Sequence, residues 1–105
     1  MPLLTQGFIS PTELRRHARI HGPEFNAKDA TDYLVRADNF LGSPLRSTTE
    51  ECMRRSDHAI IRWDTVTDEY GVLSANDFII TYFIQDRAWH PHMTNRAYFQ
   101  DDCRS

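Results

Sequence analysis

The sequence predicts an α+β fold in which two or three N-terminal helices pack on a three- to four-stranded antiparallel sheet. Three observations predict it. Helix starts, helix stops and a period of about 3.6 residues fill the region from residue 10 to 55. From residue 58 to 84 the pattern switches to β-branched and aromatic runs broken by turn residues. A length of 105 residues leaves room for a single core.

The elements follow in order. In Ser10-Pro11-Thr12-Glu13, Ser10 can cap a helix, Pro11 suits its first position and Glu13 completes a capping box. The first helix then runs to His21 and stops at Gly22-Pro23. Asn26 is expected to cap a second helix from Ala27 to about Leu41, with Ala30, Tyr33, Leu34, Ala37 and Leu41 forming its buried stripe. Thr48-Thr49-Glu50-Glu51 predicts a short third helix reaching Arg54 or Arg55. Strands are expected over 58–64, 70–74 and 78–84, separated by turns at 67–69 and 75–77, as an antiparallel meander. A loop from Gln85 to Arg96, holding Trp89 and His90-Pro91-His92, precedes a short strand at Ala97 to Phe99. The tail from Gln100 is polar and expected to fray, so that one domain has its core at about residues 10–99.

Composition narrows the function classes. With 40% hydrophobic and 26% charged residues, four Gly and a mean hydropathy of −0.59, the chain reads as one soluble globular domain. The longest apolar run, Phe78 to Ile84, is far short of the roughly 20 residues that span a bilayer, so no membrane span is expected. The start, Met1-Pro2-Leu3-Leu4, lacks the pattern of a signal peptide, so export would rest on sequence outside this chain or on another route. A net charge of −3 argues against coating nucleic acid by bulk electrostatics. The charge is uneven, however: residues 1–62 carry nine basic against eight acidic residues, and residues 63–105 three against seven. Eleven of the twelve basic residues are Arg, which suits bidentate phosphate contacts. Cys52 and Cys103 belong to no CxxC or zinc-like grouping, and nothing in their spacing demands a disulfide or a zinc site, so free thiols are the leading expectation and a pair the alternative.

His17 and His21 lie four apart on the first helix, about 40° around its axis from each other, on the inward face with Leu14. Paired imidazoles suit general acid-base chemistry on a phosphodiester. A metal is not expected: the HxxxH lacks the Glu of HExxH, and neighbouring arginines repel a cation. Alternation along the strands puts Ile60, Arg62 and Asp64 on one face and Thr81 with Ile79 and Phe83 on one face, opposite Ile80 and Tyr82. A sheet presenting Arg62 and Thr81, or Tyr82, toward the first helix would supply phosphate and oxyanion contacts. His58, His90 and His92 are weaker candidates, although a His-Pro-His loop near Trp89 could stack on a base.

The pattern Leu14-x-x-His17-x-x-x-His21-Gly22-x-Glu24-Phe25, then Asp32-Tyr33-Leu34-x-x-Ala37-x-x-Phe40-Leu41, resembles the catalytic domains of bacterial polymorphic and contact-dependent inhibition toxins of the barnase, EndoU, colicin and RelE-like superfamily. Ile61-Arg62-Trp63-Asp64, Asp68-Glu69-Tyr70-Gly71-Val72 and Ile79-Ile80-Thr81-Tyr82-Phe83 are similar to that group's strand motifs, and the likeness spans residues 14 to about 83. Ala18 departs from it where an aromatic is common, and Asn26 and Asp77 where glycine is. The resemblance implies a metal-independent endoribonuclease without a cofactor, acting on RNA, most often tRNA, by 2′-OH attack to a 2′,3′-cyclic phosphate. His17, His21, Arg62 and Thr81 would be catalytic, and Arg15, Arg16, Arg19 and Tyr82 would bind the substrate. It also implies secretion as part of a larger effector, action in the target-cell cytoplasm and a cognate immunity protein. The contrasting reading is a non-catalytic binding or inhibitory module, such as the partner protein of a toxin and immunity pair, which the net negative charge suits.

Overall fold

Ser10 opens the first helix as its sequence dictates: its Oγ accepts a hydrogen bond from the Glu13 N–H at 3.1 Å, and α1 runs Pro11–His21. The computed structural model describes residues 2–86, 90 and 94–105. After α1 a 3-10 turn, Gly22–Phe25, ends on Asn26 at φ +53°, the left-handed region that Asn tolerates. Asn26 therefore closes this turn instead of capping the second helix. Asp29 is the cap, its Oδ1 accepting from Asp32 N at 2.8 Å, and α2 spans Ala30–Gly42, three residues later than the sequence suggested.

Four strands follow, β1 Thr49–Met53, β2 Ile60–Asp64, β3 Glu69–Leu73 and β4 Ile79–Ile84, as an antiparallel meander in the order β1-β2-β3-β4. The chain closes with α3, Asn95–Arg104. Helices precede the sheet and an antiparallel sheet carries the core, so the fold is α+β as expected, with a third layer added by α3. Among the described residues, no helix is long and apolar enough to cross a membrane.

Three local expectations are overturned. The proposed third helix is β1: about five residues are too few to nucleate a helix alone, while the open edge of β2 offers a full set of ladder partners, from Thr49↔Asp64 to Met53↔Ile60. The short strand at Ala97 to Phe99 lies within α3, which Thr94 caps by accepting from Ala97 N at 2.9 Å. The tail is not frayed. Phe99 is buried against Trp63 and Tyr70, Asp102 accepts from Tyr70 Oη at 2.6 Å and from Arg54 at 2.8 Å, and Cys103 is joined to Cys52 by a disulfide.

The register sorts side chains between two cores. Glu51, Arg62, Gly71 and Tyr82 form one cross-strand row, and Cys52, Ile61, Val72 and Thr81 the next, so the two rows face opposite ways. The first faces α2, where Tyr82, Leu73 and Ile79 pack with Tyr33, Ala37, Phe40 and Leu41. The second faces α3, where Ile61 and Val72 pack with Trp63, Tyr70, Phe83 and Phe99. Gly71 lets α2 come close, because a Cβ there would stand 2.9 Å from Leu41 Cδ2. Strict alternation fails at one place: Val72 pairs with Thr81 but Leu73 with Ile79, leaving Ile80 as an extra residue. That bulge turns Ile79 to the α2 side, away from Thr81 and Phe83.

The disulfide ties the edge strand β1 to the last turn of α3 across a sequence separation of 51. Closing a loop of that size removes about 4 kcal/mol of denatured-state entropy in the chain-entropy model. Urea unfolding of a Cys52→Ser, Cys103→Ser variant is expected to show a loss of about that size, with far-UV circular dichroism unchanged in the folded baseline. Equal midpoints for the variant and the oxidised chain would show that the bridge adds nothing to stability.

Candidate active site

The segment ahead of α1 fixes where that helix lies. Asp38, on α2, accepts hydrogen bonds from Leu4 N at 2.8 Å, Thr5 N at 2.9 Å and Thr5 Oγ1 at 2.6 Å. Gly7, at φ +73°, then turns the chain so that its carbonyl accepts from Ile79 N at 2.8 Å and Phe8 bridges to Ile79 in parallel. A side-chain-bearing residue would be strained there. With the chain pinned to the outer edge of β4, α1 starts beside that strand and Leu14 and Ala18 pack into the α2-side core.

This placement brings His17 and His21 together, with ring centroids 6.1 Å apart. The His17 ring rests on Phe8 at 5.2 Å, and the His21 ring on Phe83 at 5.6 Å. Their polar surroundings differ. His21 Nδ1 lies 2.7 Å from Glu24 Oε2, and because a carboxylate only accepts, Nδ1 carries the proton, while among the described residues nothing bonds Nε2. Glu24 Oε1 in turn accepts from Ile84 N at 2.7 Å, which anchors the carboxylate to the edge of β4. His17 Nδ1 is buried without a partner, while its Nε2 stands 3.4 Å from an Arg16 guanidinium nitrogen. Burial lowers the His17 pKa below the ordinary histidine value, and the charges of Arg16 and His21 push the same way. His17 is therefore a neutral imidazole at neutral pH.

The three arginines of α1 part company, because successive residues turn by about 100°. Arg16 stays near His17 and is held bidentately by Glu13 at 2.7 and 3.0 Å. Arg15 and Arg19 occupy the opposite flank, in a cleft of about 350 Å³ that Lys28 also lines.

The remaining sequence candidates do not join the histidine pair. Arg62 lies on β2, two strands and about 10 Å from β4. Its guanidinium bonds Glu51 at 2.7 Å, the Phe40 carbonyl at 3.0 Å and the Ser43 carbonyl at 2.6 Å, so it caps the C-terminal end of α2. Thr81 is half-buried on the opposite face, two residues before Phe83, and Arg62 and Thr81 cannot address one phosphate from a shared face as the sequence suggested. Among the described residues no hydrogen bond links the Thr81 hydroxyl to either histidine. Tyr82 is a core residue, its ring stacked on Phe25 at 4.3 Å, and it has no free face for a base. His58 is exposed at φ +61°. His90 is buried and bonded to Asn95 at 2.9 Å, while Trp89, Pro91 and His92 lie outside the described residues.

Two carboxylates that stand in the quoted motifs, Glu24 and Glu69, were given no role by the sequence. Glu24 had a signal, the i,i+3 spacing from His21 across a helix stop, which returns a side chain to the same ring. Glu69 had none. It closes a polar cleft of about 390 Å³ with Arg36, Asn39, Arg46 and Thr67, accepting from Arg46, Tyr82 Oη and Thr67 Oγ1. Burial alone would raise its pKa, but those hydrogen bonds lower it on balance. Both carboxylate oxygens of Glu69 are committed to the fold. Compared with family models and with curated proteins, the chain matches none.

The half-buried His17 gives a pH signature. The unfolded chain binds a proton on this ring near the ordinary value of 6.5, the folded chain only at lower pH. The stability it protects is complete above about 6.5 and falls as the pH drops toward the folded value. Denaturant unfolding between about pH 5 and pH 8 should show His17→Gln losing less stability on acidification than the parent chain. Identical pH slopes would mean that the ring is as solvated as in the unfolded chain.

Proposed function

We propose that this chain is a metal-independent endoribonuclease and that its centre is the pair His17 and His21 with Glu24 behind it. The observation that carries the reading is the asymmetry of the two rings. One is kept neutral by burial, and the other has its proton fixed on Nδ1 by a carboxylate that also faces the charge the ring gains on taking a second proton. A phosphodiester lying between them meets both halves of acid-base catalysis. His17 takes the 2′-OH proton as that oxygen bonds to phosphorus, the P–O5′ bond breaks, and protonated His21 gives its Nε2 proton to the leaving 5′-oxygen. The products are a 2′,3′-cyclic phosphate and a 5′-hydroxyl, with His17 left protonated and His21 neutral, a net transfer of one proton from acid to base. Arg16, with a guanidinium nitrogen 3.4 Å from His17 Nε2, is placed to face the developing charge.

The resemblance to polymorphic toxin ribonucleases agrees with this chemistry and suggests tRNA as the substrate, delivery within a larger secreted effector, action in the target-cell cytoplasm and a cognate immunity protein. The disulfide supports passage through an oxidising compartment, where such bonds form and persist. In place of Arg62 and Thr81, the roles pass to Arg16 and Glu24.

The test is cleavage of total RNA and of tRNA by the purified chain. Cleavage is expected to survive EDTA and to leave 2′,3′-cyclic ends. His17→Ala and His21→Ala should each lower the rate by about a hundredfold or more, the scale of one acid-base group. Glu24→Gln keeps an acceptor for Ile84 N yet removes the carboxylate, and should cost about tenfold or more while the fold survives. The acid limb of the pH profile should lie below about 6.5, following His17. Full activity in a folded His17→Ala, His21→Ala double variant would reject the site, and a folded chain that cleaves no RNA would favour the binding-module reading.

A further inference from the structure

Most guanidinium groups of this chain are spent on carboxylates. Arg36 pairs with Asp32, Arg54 with Asp102 and Arg96 with Glu50, for example. Arg15, Arg19 and Lys28 are different. They line one cleft of about 350 Å³ between the outer flank of α1 and the start of α2. Among the described residues none of the three meets a carboxylate within 4.0 Å, and the only side-chain hydrogen bond is a long one, 3.5 Å, from Arg15 to Thr12. Arg15 and Arg19 stand four apart on a helix, where like charges repel.

Carboxylates are close at hand but are turned elsewhere. Asp29, on the cleft wall, caps α2 through Asp32 N, and Asp32 accepts from the Lys28 backbone N–H at 2.9 Å and from Arg36 at 3.2 Å. The floor is made of small residues, Ala18, Gly22, Ala27 and Ala30, so nothing of the protein fills the space above it. In a chain of net charge −3, three cations that line one open cleft, with Asp29 the one carboxylate on its wall and, among the described residues, no ion pair within 4.0 Å, form a site suited to an anion.

We propose that this cleft holds backbone phosphate of the single-stranded RNA whose scissile bond lies at His17 and His21, so that the strand crosses α1 near its C-terminal end. The inference rests on the ribonuclease reading and adds to it a second, non-catalytic contact on the far flank of α1. Guanidinium forks suit phosphate oxygens, and the contacts would set affinity and register without touching a base.

The experiment measures binding of a fluorescent 2′-O-methyl RNA, which cannot be cleaved by 2′-OH attack, to the full chain between about 50 and about 200 mM salt. An Arg15→Gln, Arg19→Gln, Lys28→Gln variant should bind about tenfold or more weaker, and its log–log salt slope should be shallower by about 2, the loss of three cation contacts to a single strand. An Arg55→Gln, Arg104→Gln variant, which removes charge elsewhere, should change both little. The cleft is refuted if the triple variant binds like the parent, if the control loses as much per charge removed, or if polyglutamate competes as well as unlabelled RNA. Cleavage of ordinary RNA separates the two readings. A chain that binds through the cleft but never cleaves overturns the ribonuclease reading alone, and a triple variant that cleaves with unchanged KM overturns the cleft alone.

Discussion

An edge strand leaves every second backbone N–H and C=O without a ladder partner, and those groups must be met by water or by something else in the chain. In this protein the outer edge of β4 is met three times over. Ile79 N donates to the Gly7 carbonyl, the Tyr82 carbonyl accepts from Tyr33 Oη, and Ile84 N donates to Glu24. Each partner comes from a different segment: the N-terminal stretch, α2 and the turn between the two helices. Satisfying one edge therefore orients everything that precedes the sheet, and α1 with its histidines is laid beside β4 as a result.

Glu24 shows how a structural requirement becomes a chemical one. One carboxylate oxygen answers the orphan N–H of Ile84 while the other holds His21, so the ring cannot be oriented without the edge being closed. The arginines divide by a comparable competition. The last carbonyls of α2 lack intrahelical partners, and Arg62 is drawn to those of Phe40 and Ser43. A charge in mid-strand that looked like an oxyanion contact is thus consumed by a helix terminus. Among the described residues Arg15 and Arg19 meet no such carbonyl and no carboxylate, and only Arg15 makes a long hydrogen bond, to Thr12.

What was legible in the sequence was whatever is settled within a few residues. Ser10-Pro11-Thr12-Glu13 specifies its own helix start, and the Phe78 to Ile84 run specifies its own strand. The segments misread were those whose partners are remote. Thr49 to Met53 has a helix-start pattern, and only the waiting edge of β2 makes it a strand. Tyr98 and Phe99 look like strand residues, yet Phe99 and Cys103 stand four apart on α3 against the sheet, where Cys52 of β1 waits. The histidine pair was visible because its spacing is helical and local. The separation of Arg62 from Thr81 was not, since their faces depend on cross-strand register, and the bulge at Ile80 reverses the parity that alternation would give to Ile79.

The edge position of β4 bears on why a site could form there at all. Within the sheet the α2-side and α3-side cores are separated by the strands, and a side chain belongs to one or the other. Only past β4 can one residue reach both. Glu24 and Phe25 follow each other in the turn: Phe25 stacks on Tyr82 in the α2-side core, while Glu24 holds His21, whose ring rests on Phe83 from the α3 side. Phe83 packs on Tyr70, and Tyr70 Oη donates to Asp102 next to the disulfide of Cys103. A chain of contacts thus runs from α3 through the sheet to His21. The third layer, remote from the histidines, sets the floor on which one of them lies.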